Sequence, residues 1–339
     1  MSKDRFGKKY DRLFVAVVTA FTEDFRIDES AQRRLLQYFM QPKFLDAGGA
    51  IITNPEAGEI YYLTREQKKR NVELAVEVCG GKSPVFAGAL ALTTEETVKV
   101  AIDAKDAGAE GIFLLPPIGG SEVTITWDPE KAPEVFLDMA KAVIEATDLP
   151  AIVHPSGPAT PAWGVGLPLS TTIKMCKEIP NIVGWKMLQS YQGALVISRA
   201  LRELDRHVAL LRAPANFFHE NLATGCFDGT VSGAFCYAME AMVNHINAWK
   251  RGDFKEAYRI WKAGLENLQY YVYLDYGRLH IRYKTATWLR GLVPHPFMIP
   301  PVPKPNKEEI LTLRELLIKT GLNVITEEAI ATILNKIPR

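Results

Sequence analysis

Eight short apolar runs, each followed by a stretch with helical spacing, constrain this chain more than any other feature. The runs lie at residues 13–19, 49–53, 85–88, 111–115, 151–153, 182–186, 208–211 and 229–232. They are continuous rather than alternating, as strands buried on both faces are. The stretches 30–40, 64–78, 94–107, 133–146, 170–177, 191–204, 216–224 and 234–249 carry helical periodicity. The first opens near Asp28, and the next two open with capping-box spacing, Thr64-x-x-Gln67 and Thr93-x-x-Glu96. Such an alternation over about 250 residues predicts an α/β fold, a (β/α)8 TIM barrel. An open doubly wound sheet would call for a Gly-x-Gly-x-x-Gly turn after the first strand, and Thr19-Ala20-Phe21-Thr22 has none.

After Arg251 the pattern is helical only, at 254–276, 278–289, 307–319 and 327–336, divided by the proline-rich link 294–305. The expected organisation is a barrel over 1–250 with a C-terminal helical extension over 251–339. Tyr270, Tyr271, Tyr273, Tyr276 and Tyr283 crowd that extension, and are expected to be core or subunit contact rather than part of a ligand site.

Forty basic and thirty-nine acidic residues leave a net charge of +1, so no global field favours nucleic acid or a membrane surface. Cys79, Cys176, Cys226 and Cys236 form no Cys-x-x-Cys pair and no zinc spacing with histidine. Buried thiols in a reduced compartment are expected. Residues 1–11 lack the apolar core of a signal peptide, and the apolar run 13–20 is too short to span a bilayer, so a cytoplasmic location is expected.

The chemistry is expected at the sixth run. Ile182, Val183, Gly184 and Trp185 lead into Lys186 at its end. An amine held there against apolar neighbours is disfavoured as the cation, which lowers its pKa and frees a lone pair for attack on a carbonyl. Strand C-terminal ends form the active face of such barrels.

Read outward from Lys186, the chain resembles the dihydrodipicolinate synthase/N-acetylneuraminate lyase family. The resemblance rests on Val18-Thr19-Ala20-Phe21, Gly58-Glu59 with Leu63-Thr64, Gly108-Ala109-Glu110-Gly111, the run from Ile179 to Lys186, and Gly229 to Ser232. It implies a barrel with a C-terminal helical domain, assembled as a homo-oligomer (a dimer or tetramer). It also implies a lysine that forms a Schiff base with pyruvate or another 2-oxo acid, so that a C–C or C–O bond can be made or broken without metal or organic cofactor. An aldehyde is the implied second substrate.

The chain departs from the family pattern at several points. The loop after strand two reads Pro55-Glu56-Ala57-Gly58-Glu59, where the family has Gly-Thr-Thr-Gly-Glu. Backbone donors at Glu56 and Ala57 remain for a carboxylate, but the threonine hydroxyl of the relay is gone. The family's tyrosine after strand five falls on His154, whose imidazole suits general acid–base work at neutral pH. A second tyrosine is missing after strand four, where the chain reads Leu115-Pro116-Pro117-Ile118. Extra residues around 158–167 place Trp163 at the tip of a flap.

The expected site is therefore Lys186 as nucleophile, with His154 and Glu56 as proton carriers. Ala57, Gly58, Arg212, Ser232 and Trp185 are expected to contact substrate, and Leu115, Ile118 and Trp163 to make its mouth apolar. Expected partners are a 2-oxo acid and an aldehyde, with no nucleic acid and no membrane. The expected activity is a class I aldolase or hydratase-aldolase. A sugar-acid dehydratase and a non-catalytic metabolite-binding barrel are the alternatives.

Overall fold

In the computed structural model, which describes residues 5–119 and 126–335, eight parallel strands close into a barrel. They are β1 (Leu13–Ala16), β2 (Gly49–Thr53), β3 (Val85–Ala89), β4 (Gly111–Leu114), β5 (Ala151–Val153), β6 (Ile182–Met187), β7 (Ala209–Arg212) and β8 (Gly229–Ser232). Each pairs with its sequence neighbours and β8 returns to β1, so no edge is left open. All eight predicted runs are barrel strands. The helix Arg65–Cys79 opens with the predicted box, Thr64 and Gln67 each bonding the other's backbone. Thr93 caps Thr94–Asp106 through the Glu96 amide.

Strand alternation sorts the barrel's side chains. Phe14, Ile52, Phe86, Phe113, Ile152 and Leu211 fill the interior, while Val15, Val85, Ile112, Val153 and Leu210 face the surrounding helices. β6 breaks the alternation once. Ala151 pairs with Ile182 but Ile152 pairs with Gly184, a bulge at Val183. Ile182 lies in the outer layer, so an unbroken count would also turn Lys186 outward. The extra residue resets the parity, turning Gly184 and Lys186 inward and Trp185 outward. A side chain at Gly184 would come within 2.8 Å of Leu211 and 3.2 Å of Ile152, both interior residues.

The predicted helix 254–276 is interrupted. A π segment at Trp261–Leu265 joins Phe254–Ile260 to Glu266–Tyr273, and Gly264 takes φ 140° where a Cβ would come within 2.9 Å of the Lys319 carbonyl. A 3-10 turn, Tyr276–Arg278, then leads into Leu279–Leu289. Trp261, Leu265, Tyr283 and Leu313 of the extension share one apolar cluster with Val15 and Val17 of the barrel. Two further elements had no clear sequence signal, the short helix Pro42–Asp46 and the hairpin Ser156–Thr160/Gly164–Gly166. No helix among the described residues is long and apolar enough to cross a membrane.

Candidate active site

The C-terminal ends of the strands open into a cavity of about 290 Å³ whose walls include Glu56, Ala57, His154, Lys186, Ser232 and His280. Lys186 reaches it from the penultimate position of β6. Its ammonium stands 5.7 Å from the centre of the Phe113 ring and makes no hydrogen bond or ion pair among the described residues. Burial pulls its pKa down to about 8, opposed in part by the negative charge of Glu56. At neutral pH a useful fraction of this lysine is therefore free amine.

His154 follows β5 directly, and the alternation Ile152 in, Val153 out places it inside, edge-on to Phe113. It is almost fully buried, and Nε2 sits 2.5 Å from Oε2 of Glu56. That contact is off the line a hydrogen bond needs, and neither ring nitrogen has a well-aligned hydrogen-bonding partner among the described residues. Burial, and then the charge of Lys186, push the histidine below its ordinary pKa against the pull of Glu56. Burial alone would raise Glu56, but His154, Lys186 and His280 outweigh it and hold the carboxyl well below its usual range. Glu56 also accepts a 2.7 Å hydrogen bond from Tyr61. The resting site thus holds a carboxylate, neutral imidazoles and one lysine near its titration point. Glu56 and Ala57 begin a three-residue 3-10 turn, so their amides have no partner within it.

Residues expected to be structural complete the cavity. Tyr276, His280 and Tyr283 are spaced four and three apart, on one helical face, and all three line it with Tyr273. Tyr283 donates to the Tyr273 hydroxyl. Tyr273 donates to the Ala213 carbonyl at 3.1 Å and lies 3.1 Å from Ser232 Oγ. Gly233 makes room for this chain, since a Cβ there would sit 2.5 Å from the Tyr283 ring. Burial holds His280 down to about 4, assisted by Lys186 and His154 against the pull of Glu56, and the same burial raises Tyr273. The spacing of 276, 280 and 283 was the available signal. It was missed because tyrosines in a helical extension are usually core.

Several expected contacts fall elsewhere. Trp185 faces the outer layer among Ile197 and Leu210, as the β6 bulge dictates. Gly58 does not reach the cavity. Its amide bonds Pro55 and its carbonyl accepts from Thr19, and a Cβ would meet the Val17 carbonyl at 2.8 Å, so its role is close packing. Arg212, one residue beyond inward-facing Leu211, turns outward, where Nε donates to the Cys226 carbonyl and Nη2 to Ser198. Leu115 is buried in the barrel interior and Ile118 packs on it. Trp163, in the turn of the hairpin, packs over Gly193 at the start of the helix Tyr191–Arg202 rather than over the mouth, and the hairpin's Ser156, Gly157 and Val165 form the wall instead.

The metal-capable group found among the described residues, Asp11, His207 and Asp228, lies where β1, β7 and β8 begin, at the opposite end of the barrel. His207 contacts Asp11 at 2.6 Å, and Arg202 grips both oxygens of Asp228, so these side chains serve each other.

Residues 9–320 match the model of the dihydrodipicolinate synthetase family. A 4-hydroxy-tetrahydrodipicolinate synthase of Methanopyrus kandleri is 28% identical over 93% of this chain and 98% of its own length. An uncharacterized DapA-like lyase of Thermofilum pendens is 24% identical over 92% of this chain and 99% of its own. Among solved structures, dihydrodipicolinate synthase from Aquifex aeolicus superposes with a TM-score of 0.76 at 24% identity, covering 93% of this chain and 99% of that one. YagE, a prophage protein of the dihydrodipicolinic acid synthase family from E. coli K12 in complex with pyruvate, gives 0.77 at 20% identity, covering 92% and 99%.

Proposed function

The chain belongs to the dihydrodipicolinate synthetase family, and from that premise we propose that it is a class I aldolase-type lyase whose Lys186 forms a Schiff base with pyruvate or a similar 2-oxo acid. One observation carries the proposal. Lys186 is turned to the inside of the barrel's active end, beside a carboxylate and a histidine, with no counter-ion fixed on its nitrogen among the described residues. The pyruvate complex of the E. coli prophage protein supports the choice of 2-oxo acid.

The residues divide the work as follows. The free amine of Lys186 attacks the keto carbon, forming a C–N bond as the carbonyl π pair moves to oxygen. His154, with Glu56 as second carrier, takes one proton from the lysine ammonium before the attack and one from its nitrogen after it, and both go to the carbonyl oxygen, which leaves as water. Ammonium plus ketone thus become iminium plus water with no net change in protons. The unpaired amides of Glu56 and Ala57 hold the carboxylate of the 2-oxo acid. Anionic Glu56 stabilises imidazolium as it forms and accepts the proton next, which replaces the family's threonine–tyrosine relay. Loss of a proton from C3 to His154 gives the enamine, whose carbon attacks an aldehyde. The reverse sequence cleaves the C–C bond. Tyr273 and Tyr283, kept as phenols by burial, close the far wall and order Ser232.

Borohydride reduction in the presence of pyruvate tests the proposal. The wild type should gain the mass of one reduced pyruvyl adduct per chain, on Lys186, and Lys186→Ala none. A wild type that stays unlabelled across a panel of 2-oxo acids would sink the Schiff-base mechanism.

A further inference from the structure

His280 lines the same cavity as Lys186, and nothing in the mechanism above uses it. Glu56, His154 and Lys186 are carried by barrel strands and the loops that follow them. His280 comes instead from the first turn of the helix Leu279–Leu289, which the C-terminal extension lays over the strand ends. Its ring is half-buried and tilted 44° on the Tyr283 ring, with centres 5.9 Å apart. It makes no hydrogen bond or ion pair among the described residues.

The hydroxyls around it are engaged. Tyr283 donates to Tyr273, and Tyr273 to the Ala213 carbonyl. Ser232 Oγ accepts from the Ala234 amide and lies 3.1 Å from the Tyr273 hydroxyl. Tyr276, 55% exposed, stands at the rim. The imidazole is also held in place. Lys284, one helical turn further on, closes on Glu59 at 2.6 Å, and Glu59 lies three residues beyond Glu56. That enclosed pair fixes the helix carrying His280 against the loop carrying Glu56. Burial keeps the ring uncharged at neutral pH, and the charges of Glu56, Lys186 and His154 all act on it, as they do on a group facing the same space. An uncharged imidazole still offers one N–H donor.

A 2-oxo acid bound as proposed has its carboxylate on the Glu56 and Ala57 amides and its C2 on Lys186. The barrel interior below is filled by Phe113, Ile152 and Leu211. An acceptor can therefore reach C3 only from the open side, under the helix that presents His280. We infer that His280 is a further catalytic residue, donating its N–H to the carbonyl oxygen of the acceptor aldehyde while the C–C bond forms. The inference rests on the Schiff-base function of Lys186 and adds the group that activates the second substrate. As the enamine carbon attacks, a C–C bond forms, the carbonyl π pair moves to oxygen and the enamine becomes iminium. The His280 donor stabilises that oxyanion, which then takes the proton that C3 gave up to His154. His280 itself stays uncharged throughout. In the cleavage direction the hydroxyl proton goes to His154 first, and the same donor holds the oxygen as the C–C bond breaks.

Three measurements on the wild type, His280→Ala and His280→Gln test it. They are pyruvate trapping by borohydride, exchange of pyruvate C3 protons for deuterium followed by NMR, and addition of pyruvate to glycolaldehyde, butanal and benzaldehyde. The first two need no acceptor, and His280→Ala should keep both within about threefold of the wild type. Aldehyde addition by the same variant should fall about a hundredfold in kcat/KM, the scale of one lost oxyanion donor. His280→Gln, which restores an N–H donor, should recover about tenfold of that loss. Equal losses in all three measurements for His280→Ala would mark a packing residue and overturn the inference. So would unchanged aldehyde addition, or a His280→Gln enzyme no better than His280→Ala. A wild type that exchanges C3 protons yet adds to none of the three aldehydes overturns it as well. Failure of the wild type to trap any 2-oxo acid strikes at Lys186 instead, and takes this inference with it.

Discussion

Lys186, half-buried at the cavity wall, and Lys284, fully buried, both face a carboxylate from the same loop, and they are built for opposite ends. Glu59 closes on Lys284 at 2.6 Å with both side chains fully shielded, and its other oxygen accepts from the Ile299 amide. The Lys284 nitrogen also lies 4.2 Å from the Phe21 ring centre. Glu59 holds a left-handed φ of 65°, a strain that persists because these contacts fix it. Three residues earlier, Glu56 passes Lys186 by and meets His154. The first lysine is saturated and ties the barrel to the helix Leu279–Leu289. The second is left with its lone pair to offer. Burial alone does not make a lysine reactive; burial without a fixed partner does.

The largest expected effect tests the saturated pair. Lys284→Met leaves Glu59 charged and enclosed, which should cost about 3–5 kcal/mol of stability by chemical denaturation. Adding Glu59→Gln should recover most of that loss, because it is the orphaned charge rather than the missing pair that destabilises. Should the single variant unfold with the wild-type midpoint, the contrast between the two lysines fails.

His154→Ala probes the open cluster. Turnover should fall about a hundredfold or more, while pyruvate trapping by borohydride falls far less, since the imine can form slowly with water carrying protons. Equal losses in the two assays would make the histidine a packing residue. Equal turnover would remove it from the mechanism.

How much of this was legible in the sequence follows from how local each cause is. All eight barrel strands could be read because a strand buried on both faces leaves a continuous apolar run. The helix starts could be read from their caps. Lys186 and His154 stood out because they end such runs. Trp185 was misplaced because a bulge between Ala151 and Ile152's partners is a property of pairing, invisible in either strand alone. The outward facing of Arg212 was unread for a related reason: it depends on Leu211 being inward. The tyrosine wall was unread because the extension must fold back over the barrel before Tyr273, Tyr276 and Tyr283 meet Ser232. The Glu59–Lys284 pair, joined across 225 positions, had no sequence signal at all.

The stability of the two lysine variants should differ in sign. Lys186→Met removes a cation that the fold disfavours and leaves no enclosed anion stranded, because Glu56 keeps Tyr61 and His154 as neighbours. A gain on the order of 1–2 kcal/mol at pH 7 is expected, after discounting for the lysine's access to the cavity. A loss comparable to that of Lys284→Met would mean Lys186 is held as part of the core.

The smallest effect is the most diagnostic of mechanism. The pKa of Lys186 is lowered in the folded chain, to about 8 from an ordinary 10.5, with burial as its main cause. A depressed lysine weighs against the fold while it is protonated. That burden is fully present below about pH 8 and lifts as pH rises from 8 toward 10.5, where the unfolded chain binds the extra proton. Reactivity moves the same way earlier. The rate of pyruvate trapping should climb about fivefold from pH 7 to 8, as the free-amine fraction grows, and level off above pH 9. Lys284 is already spoken for and should add nothing to this curve. A trapping rate that is flat through pH 8 and rises only near 10 would mean that Lys186 is an ordinary solvated lysine, and the distinction between the two amines would have to be drawn on geometry alone.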